Sequence, residues 1–296
     1  MLAAFVAALV HPSVALAFCR SAACIPAGVG DVCSPIEPMR ESPDCIVPLA
    51  WNARCIGYSM QRDGSSAVSV ELAAELVSRA FDAWSGADCD GARPSIAVER
   101  QRDAICAVPE YNLKGGNANV IMFRDDGWPY PFADETLGLA TLTFDQETGQ
   151  LFDVDIEINT TDFTFTTGDD DVGFDLMSTI QHEVGHFFGV AHSQFHDSVM
   201  VPTPNEGSTA GRVLAEDDIA AICSVYPPDG ASQETSCKPV PHDFSPQCAS
   251  DRRGASDAEA EAGGGCSFAP RRAARGRPLE LATVLAVLVA LARRRS

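Results

Sequence analysis

The chain has 296 residues, of which 46% are hydrophobic and 7% aromatic, enough for a buried core and incompatible with global disorder. Its 21 Lys+Arg against 41 Asp+Glu give a formal net charge of -20, which excludes the cationic footprint that a nucleic-acid partner needs. Eleven cysteines point to an oxidising compartment.

Residues 1–17, MLAAFVAALVHPSVALA, are apolar and end in Ala15-Leu16-Ala17, the small-x-small pattern of a signal peptide. No basic residue precedes the run, so a start further upstream or a weak n-region is implied. A buried helix is the alternative, and His11-Pro12 opposes it. A lipoprotein reading of Cys19 is disfavoured by the bulky Phe18 before it.

Residues 18–48 are Cys- and Pro-rich and aperiodic, a short stapled leader. A domain is expected over 49–227. It starts with a short strand at 55–60. A helix follows at 70–84, with apolar residues at 72, 73, 76, 77, 80, 81 and 84, Ser69 as N-cap and Gly86 as stop. Residues 95–98, 119–123 and 138–144 read as strands, with a turn at 145–149. Residues 151–159 alternate Phe152, Val154, Ile156 and Ile158 with Asp153, Asp155, Glu157 and Asn159, which predicts one buried and one wet face. Two further helices are expected at 174–190 and 214–226. The second carries Glu216, Asp217 and Asp218 in its first turn, where the helix dipole favours acids. The fold class is therefore α+β: a twisted mixed sheet of about five strands with three helices.

From residue 228 to 265, Pro, Ser, Gly and Ala dominate, a linker or stalk. Ten cysteines precede Cys266 and can close five disulfides. Cys89–Cys106 is the expected bridge because the two flank one predicted strand, and Cys237 with Cys248 would close a small loop. The last segment, 266–296, holds Cys266, an apolar run over 279–292 read as a short helix, and Arg293, Arg294 and Arg295. Fourteen helical residues span about 21 Å, short of the ~30 Å hydrocarbon core. The whole resembles the C-terminal sorting tails of exported myxobacterial proteins. That resemblance implies processing near Cys266 and retention at the cell surface, with membrane contact only through the tail. A plain single-span tail anchor is the alternative.

The chemistry sits in His182-Glu183-Val184-Gly185-His186-Phe187-Phe188-Gly189-Val190-Ala191-His192. On a helix, residues four apart share a face, so His182 and His186 can grip one ion. Gly189 can end the helix in a left-handed conformation and let His192 arrive as third ligand. Three nitrogens leave one position of a tetrahedral zinc for water, and Glu183 stands beside it as general base. A satisfied core histidine is the ordinary reading of one such residue, but not of three at this spacing.

The motif resembles that of the metzincin zinc endopeptidases, in which a methionine turn lies beneath the metal. Met200, eight residues past His192, is the matching methionine. Ser193 directly after the third histidine resembles the matrixin branch, as do the helices at 80–84 and 214–222. The resemblance implies a zincin-like catalytic domain and an extended peptide substrate paired antiparallel with the strand at Gly138, Leu139 and Ala140. Val201, Pro202 and the 205–214 loop would wall the pocket beside the zinc. Plain sheet packing explains the 138–144 strand equally well. The sequence departs from animal matrixins in two ways. No histidine lies between 12 and 181 to hold a second, structural zinc, and no PRCGxPD segment supplies a blocking cysteine.

Asp169-Asp170-Asp171 and Asp153/Asp155 offer weak calcium sites, a solvated acidic loop being the simpler reading. The expectation is a monomeric, exported, surface or extracellular zinc endopeptidase. The competing expectation from another class is a non-catalytic surface adhesin on a zinc-stapled scaffold, which would have no use for Glu183. A serine hydrolase is disfavoured because no G-x-S-x-G elbow is present.

Overall fold

The computed structural model describes residues 20–24, 45–105, 108–111, 117–202, 206–229, 237–239 and 283–290. The signal segment, Cys106, Cys248 and Cys266 lie outside them.

A short hairpin-like pair, β1 (Ala22–Cys24) and β2 (Cys45–Pro48), is antiparallel and precedes the main sheet. The sheet is built from β3 (Cys55–Met60), β4 (Ala97–Arg100), β5 (Val120–Phe123), β6 (Thr136–Phe144), β7 (Leu151–Ile158) and β10 (Thr283–Ala290). Their order is β10-β6-β7-β5-β3-β4. Pairings among β7, β5, β3 and β4 are parallel, while β6 runs antiparallel to both of its neighbours. Helices α1 (Val70–Ser85), α2 (Leu176–Phe187) and α3 (Glu216–Val225) complete the domain, and a small parallel pair, β8 (Phe165–Thr166) with β9 (Phe174–Asp175), leads into α2.

The first helix forms where its periodicity places it. Ser69 Oγ accepts from Leu72 N at 3.2 Å, and Gly86 closes the last turn. Its buried stripe of Leu76, Val77, Ala80, Phe81 and Trp84 meets α2. There Phe81 and Phe187 pack edge to face at 4.9 Å, and Trp84 Nε1 donates to Gln181 O at 2.9 Å. One continuous core joins these helices to Ile121, Leu142, Val154, Ile156 and Ile158 of the sheet. α2, which carries the histidine motif, is thereby fixed against the sheet.

Five expectations are corrected. The acidic face of β7 is not wet: Asp153 and Asp155 are 2% exposed and Glu157 is 0% exposed, whereas Phe152, on the apolar face, is exposed. Alternation reports two chemically different faces, but here other chain segments cover both. Glu110 N and Val120 N donate to Asp155, and Arg124 and Tyr130 hold Glu157. Cys89 pairs with Cys223 rather than Cys106, and Cys237 pairs with Cys55 rather than Cys248. Both bonds tie segments distant in sequence, which spacing alone does not reveal. The strand expected at 95–98 is Ala97–Arg100. The apolar run expected as a helix is the strand β10. Such a run has no periodicity to separate the two states, and the outer edge of β6 offers it backbone partners.

Candidate active site

Helix α2 is capped by Asp175, whose carboxylate accepts from Ser178 N and Ser178 Oγ at 2.8 and 2.7 Å. The other Asp175 oxygen takes Arg212 Nε at 3.0 Å and Nη2 at 2.5 Å. With its start fixed, the helix turns His182 and His186 to one side. It ends at Phe188, and Gly189 adopts φ +81°. A Cβ at Gly189 would also lie 2.5 Å from Leu49 O, so backbone sign and space both demand glycine here. The chain then reverses and delivers His192.

The three rings converge. Their centroids are 4.9 Å apart for His182–His186, 5.2 Å for His182–His192 and 4.9 Å for His186–His192. His182 Nδ1 lies 2.8 Å from Val199 O, and His186 Nδ1 lies 2.8 Å from Val190 O. A carbonyl only accepts, so both Nδ1 atoms carry the proton and both Nε2 atoms present lone pairs. Those two Nε2 atoms are 3.1 Å apart. Two lone pairs so close repel unless a proton or a metal ion lies between them. Tetrahedral zinc with nitrogens at about 2.0–2.1 Å sets them roughly 3.3 Å apart. Ligand atoms of all three histidines lie within 4.8 Å of one another, and nitrogen donors suit zinc. Burial, then the neighbouring His182 and His192, pushes the His186 imidazole well below its ordinary range and keeps it in the neutral, metal-binding form. The residues present fit a zinc ion.

Glu183 is fully buried, and neither carboxylate oxygen has a hydrogen-bond partner among the described residues. Burial pushes its carboxyl well above the usual range, opposed by the nearby Ala140 backbone, which falls short of full hydrogen-bond geometry. Its side chain occupies the space that a residue larger than glycine would fill at position 138, where a Cβ would be 2.6 Å from Glu183 Oε1. A buried, partnerless carboxyl beside a metal site is poised to exchange a proton with something that enters the site.

Met200 is fully buried under the site, against Gly185 and hence against the turn of α2 between the two histidines. Its loop is held by residues that the sequence reading assigned elsewhere. Ser193 N donates to Met200 O at 2.8 Å, and Ser193 Oγ to Asp217 Oδ2 at 2.7 Å. Asp218 accepts from Ser198 Oγ at 2.5 Å, Val199 N at 2.9 Å and Ala215 N at 2.8 Å. Asp217 and Asp218 are buried, so they do more than complement the helix dipole. Three successive acids opening the helix that follows the methionine turn in sequence were the available signal.

A cleft beside His182 is lined by Leu137, Ser178, Thr179, Val199, Val201 and Gly211. Val201 therefore reaches it. Pro202 is exposed and is not part of the lining. Gly138, Leu139 and Ala140 lie on β6 beside Glu183, with Leu139 and Ala140 fully buried. His196 reaches the cleft but is 90% exposed at its side chain. The acidic clusters do not converge on a calcium site. Asp169 pairs with Arg212, Asp170 and Asp171 are exposed, and among the described residues the histidine trio is the one group of three that could hold a metal.

Fold and site together have the form of a metzincin catalytic domain, an α+β body with a three-histidine metal cleft on its active-site helix. Residues 120–227 match the Matrixin family, Peptidase_M10. The chain is 26% identical over 180 residues to Metalloendoproteinase 1-MMP of Arabidopsis thaliana, covering 60% of this chain and 45% of that protein. It is 28% identical over 181 residues to Matrix metalloproteinase-20 of Homo sapiens, covering 60% and 32%. Against Metalloendoproteinase 4-MMP of Arabidopsis thaliana the figures are 35% over 101 residues, covering 34% and 28%. The chain spans less than half the length of these relatives. They support a matrixin-like metalloprotease domain.

Proposed function

We propose that this protein is a zinc endopeptidase, exported and active at the cell surface or outside the cell, that hydrolyses peptide bonds in extended segments of extracellular proteins. The observation that carries the reading is the convergence of His182, His186 and His192 on one point with the buried, unpartnered Glu183 beside it. The three imidazoles hold the ion, and the carbonyls of Val199 and Val190 fix the orientation of two of them. Zinc bound there supplies a Lewis acid that acidifies water and polarises a peptide carbonyl. Glu183 takes the proton of the attacking water and passes it to the departing amine. Met200 supports the helix turn that carries the ligands. The substrate lies extended along β6, and its next side chain enters the cleft past Val201. The apolar run and arginine cluster of the tail support surface retention, with Cys266 as the processing point.

The test is Glu183→Ala in the purified chain, assayed on casein and gelatin. Hydrolysis is expected to fall about 10^2–10^4-fold while bound zinc stays near one per chain. A variant that digests as fast as the parent removes the mechanism. A parent that binds zinc yet cleaves no member of a broad peptide library would favour the adhesin reading instead. Chelation with 1,10-phenanthroline is expected to abolish activity, and added zinc to restore it.

A further inference from the structure

Of the five main-sheet strands that precede the histidine motif, β6 is an outer one, and its Gly138 and Ala140 abut Glu183. That outer edge is occupied. β10 lies on it antiparallel, with Leu285 opposite Leu142, Val287 opposite Ala140 and Leu288 opposite Leu139. The one break in register falls between Leu288 and Ala290, across from the Leu137–Gly138 step beside Glu183. Residues of the C-terminal segment thus stand in the orientation proposed above for the substrate.

We infer that β10 is a built-in competitor: a strand of this same chain that holds the substrate edge of β6 and keeps the protein slow until the segment is removed or displaced. The inference rests on the proposed role of β6. Its physical basis is exclusion, since a strand edge has one row of backbone donors and acceptors and pairs with one partner at a time. The sequence Thr283 to Ala290, TVLAVLVA, contains no charge, Pro or Gly, and its Val content suits a strand. The tether favours docking as well. Cys237 is bonded to Cys55 on β3, so 45 residues (238–282) link a point fixed to the main sheet with β10. At ~3.3 Å per residue that length reaches β6 from any point of the domain. A tether of this kind holds its end at an effective concentration on the order of millimolar, above that of a dilute protein substrate.

The experiment uses the full chain loaded with zinc, as the parent and as the double variant Ala286→Pro/Val287→Pro, with Val284→Pro/Leu285→Pro as a second variant. Proline lacks the ladder donor, and of two successive residues in an edge strand one turns its N–H to the neighbouring strand. Hydrogen–deuterium exchange and steady-state hydrolysis of a fluorogenic peptide are read on the same preparations. In both variants the amides of 136–144 are expected to exchange about tenfold faster or more, and those of 176–187 to remain as in the parent. KM is expected to fall about fivefold or more with kcat unchanged, as loss of a tethered competitor requires. Equal exchange over 136–144 in all three proteins overturns the inference whatever their activity. Faster exchange with an unchanged KM overturns it too, because the released edge is then not the substrate's. No hydrolysis by any of the three, with exchange rising as expected, overturns the peptidase reading and leaves the docked strand standing.

Discussion

A methyl group on Gly185 would meet Met200 Sδ and come within 2.8 Å of Trp84 Cζ2. The glycine lets the methionine turn approach the helix between His182 and His186, so packing and the placing of the two rings are set by the same contact. Gly185→Ala is expected to destabilise the fold by about 1–3 kcal/mol through overpacking and to weaken zinc binding. Urea unfolding and a competition titration with a zinc chelator check the two effects. Unchanged values in both would mean that Met200 gives way freely and does not support the site. Asp218 acts one step further out, joining Ser198, Val199 and Ala215. Asp218→Ala leaves those donors without their acceptor, a loss of about 1–3 kcal/mol. Because Val199 O is also the partner of His182 Nδ1, zinc affinity is expected to fall with stability. A zinc affinity equal to the parent's would show that the orientation of His182 does not depend on this carboxylate.

At the level of elements, legibility followed how much of each element's environment lies within its own sequence. Helix α1 was readable because Ser69, Gly86 and an apolar stripe are all local. The histidine cluster was readable because two of its members share a helix face and Gly189 marks the turn to the third. β7 was half readable. Its alternation gave the strand, but the cover over Asp153, Asp155 and Glu157 comes from Glu110, Arg124 and Tyr130, remote segments with no periodic signature. β10 was misread because an apolar run fits either state and its partner lies about 140 residues earlier. The buried acids of β7 carry a pH dependence. Burial, then the Asp155 charge, pushes Asp153 well up, and burial pushes Asp155 up to about 8 against the donors Val120 and Glu110, with the Glu157 and Glu110 charges adding to the rise. A carboxyl whose folded pKa is raised binds its proton more tightly in the folded state. Its contribution to stability is complete below the unfolded value near 4 and is lost as pH climbs through about 8. Asp153→Asn removes one of these groups. The melting temperature of this variant is expected to rise relative to the parent as the pH climbs above the unfolded carboxyl value near 4. Zinc release affects both proteins alike and drops out of the difference. A difference that is flat with pH would mean that the acid face of β7 is wetter than its burial indicates.

Across the molecule, two disulfides among the described residues connect parts that secondary structure does not. Cys89–Cys223 ties the segment after α1 to α3 over 134 residues, and Cys55–Cys237 ties β3 to the segment beyond α3 over 182. Both join the first half of the domain to the residues that follow the metal motif, and α3 is the helix whose Asp217 and Asp218 hold the methionine turn. A bond closing a loop of this length lowers unfolded-chain entropy by an amount worth about 4–5 kcal/mol. The formal charge of -20 works in the other direction, since self-repulsion favours expansion. Replacing Cys89 and Cys223 together by Ser is therefore expected to lower the melting temperature by about 10 °C for a domain of this size, and the loss should shrink as salt screens the repulsion. Neither sulfur belongs to the zinc trio, so the variant should keep its zinc stoichiometry and its kcat well below its melting point. Thermal unfolding at low and high salt, with zinc analysis and turnover at 20 °C, separates the two roles. A melt identical to the parent's would show that the cross-link adds nothing to the fold. A normal melt with lost turnover would instead make the bond part of the support for Met200.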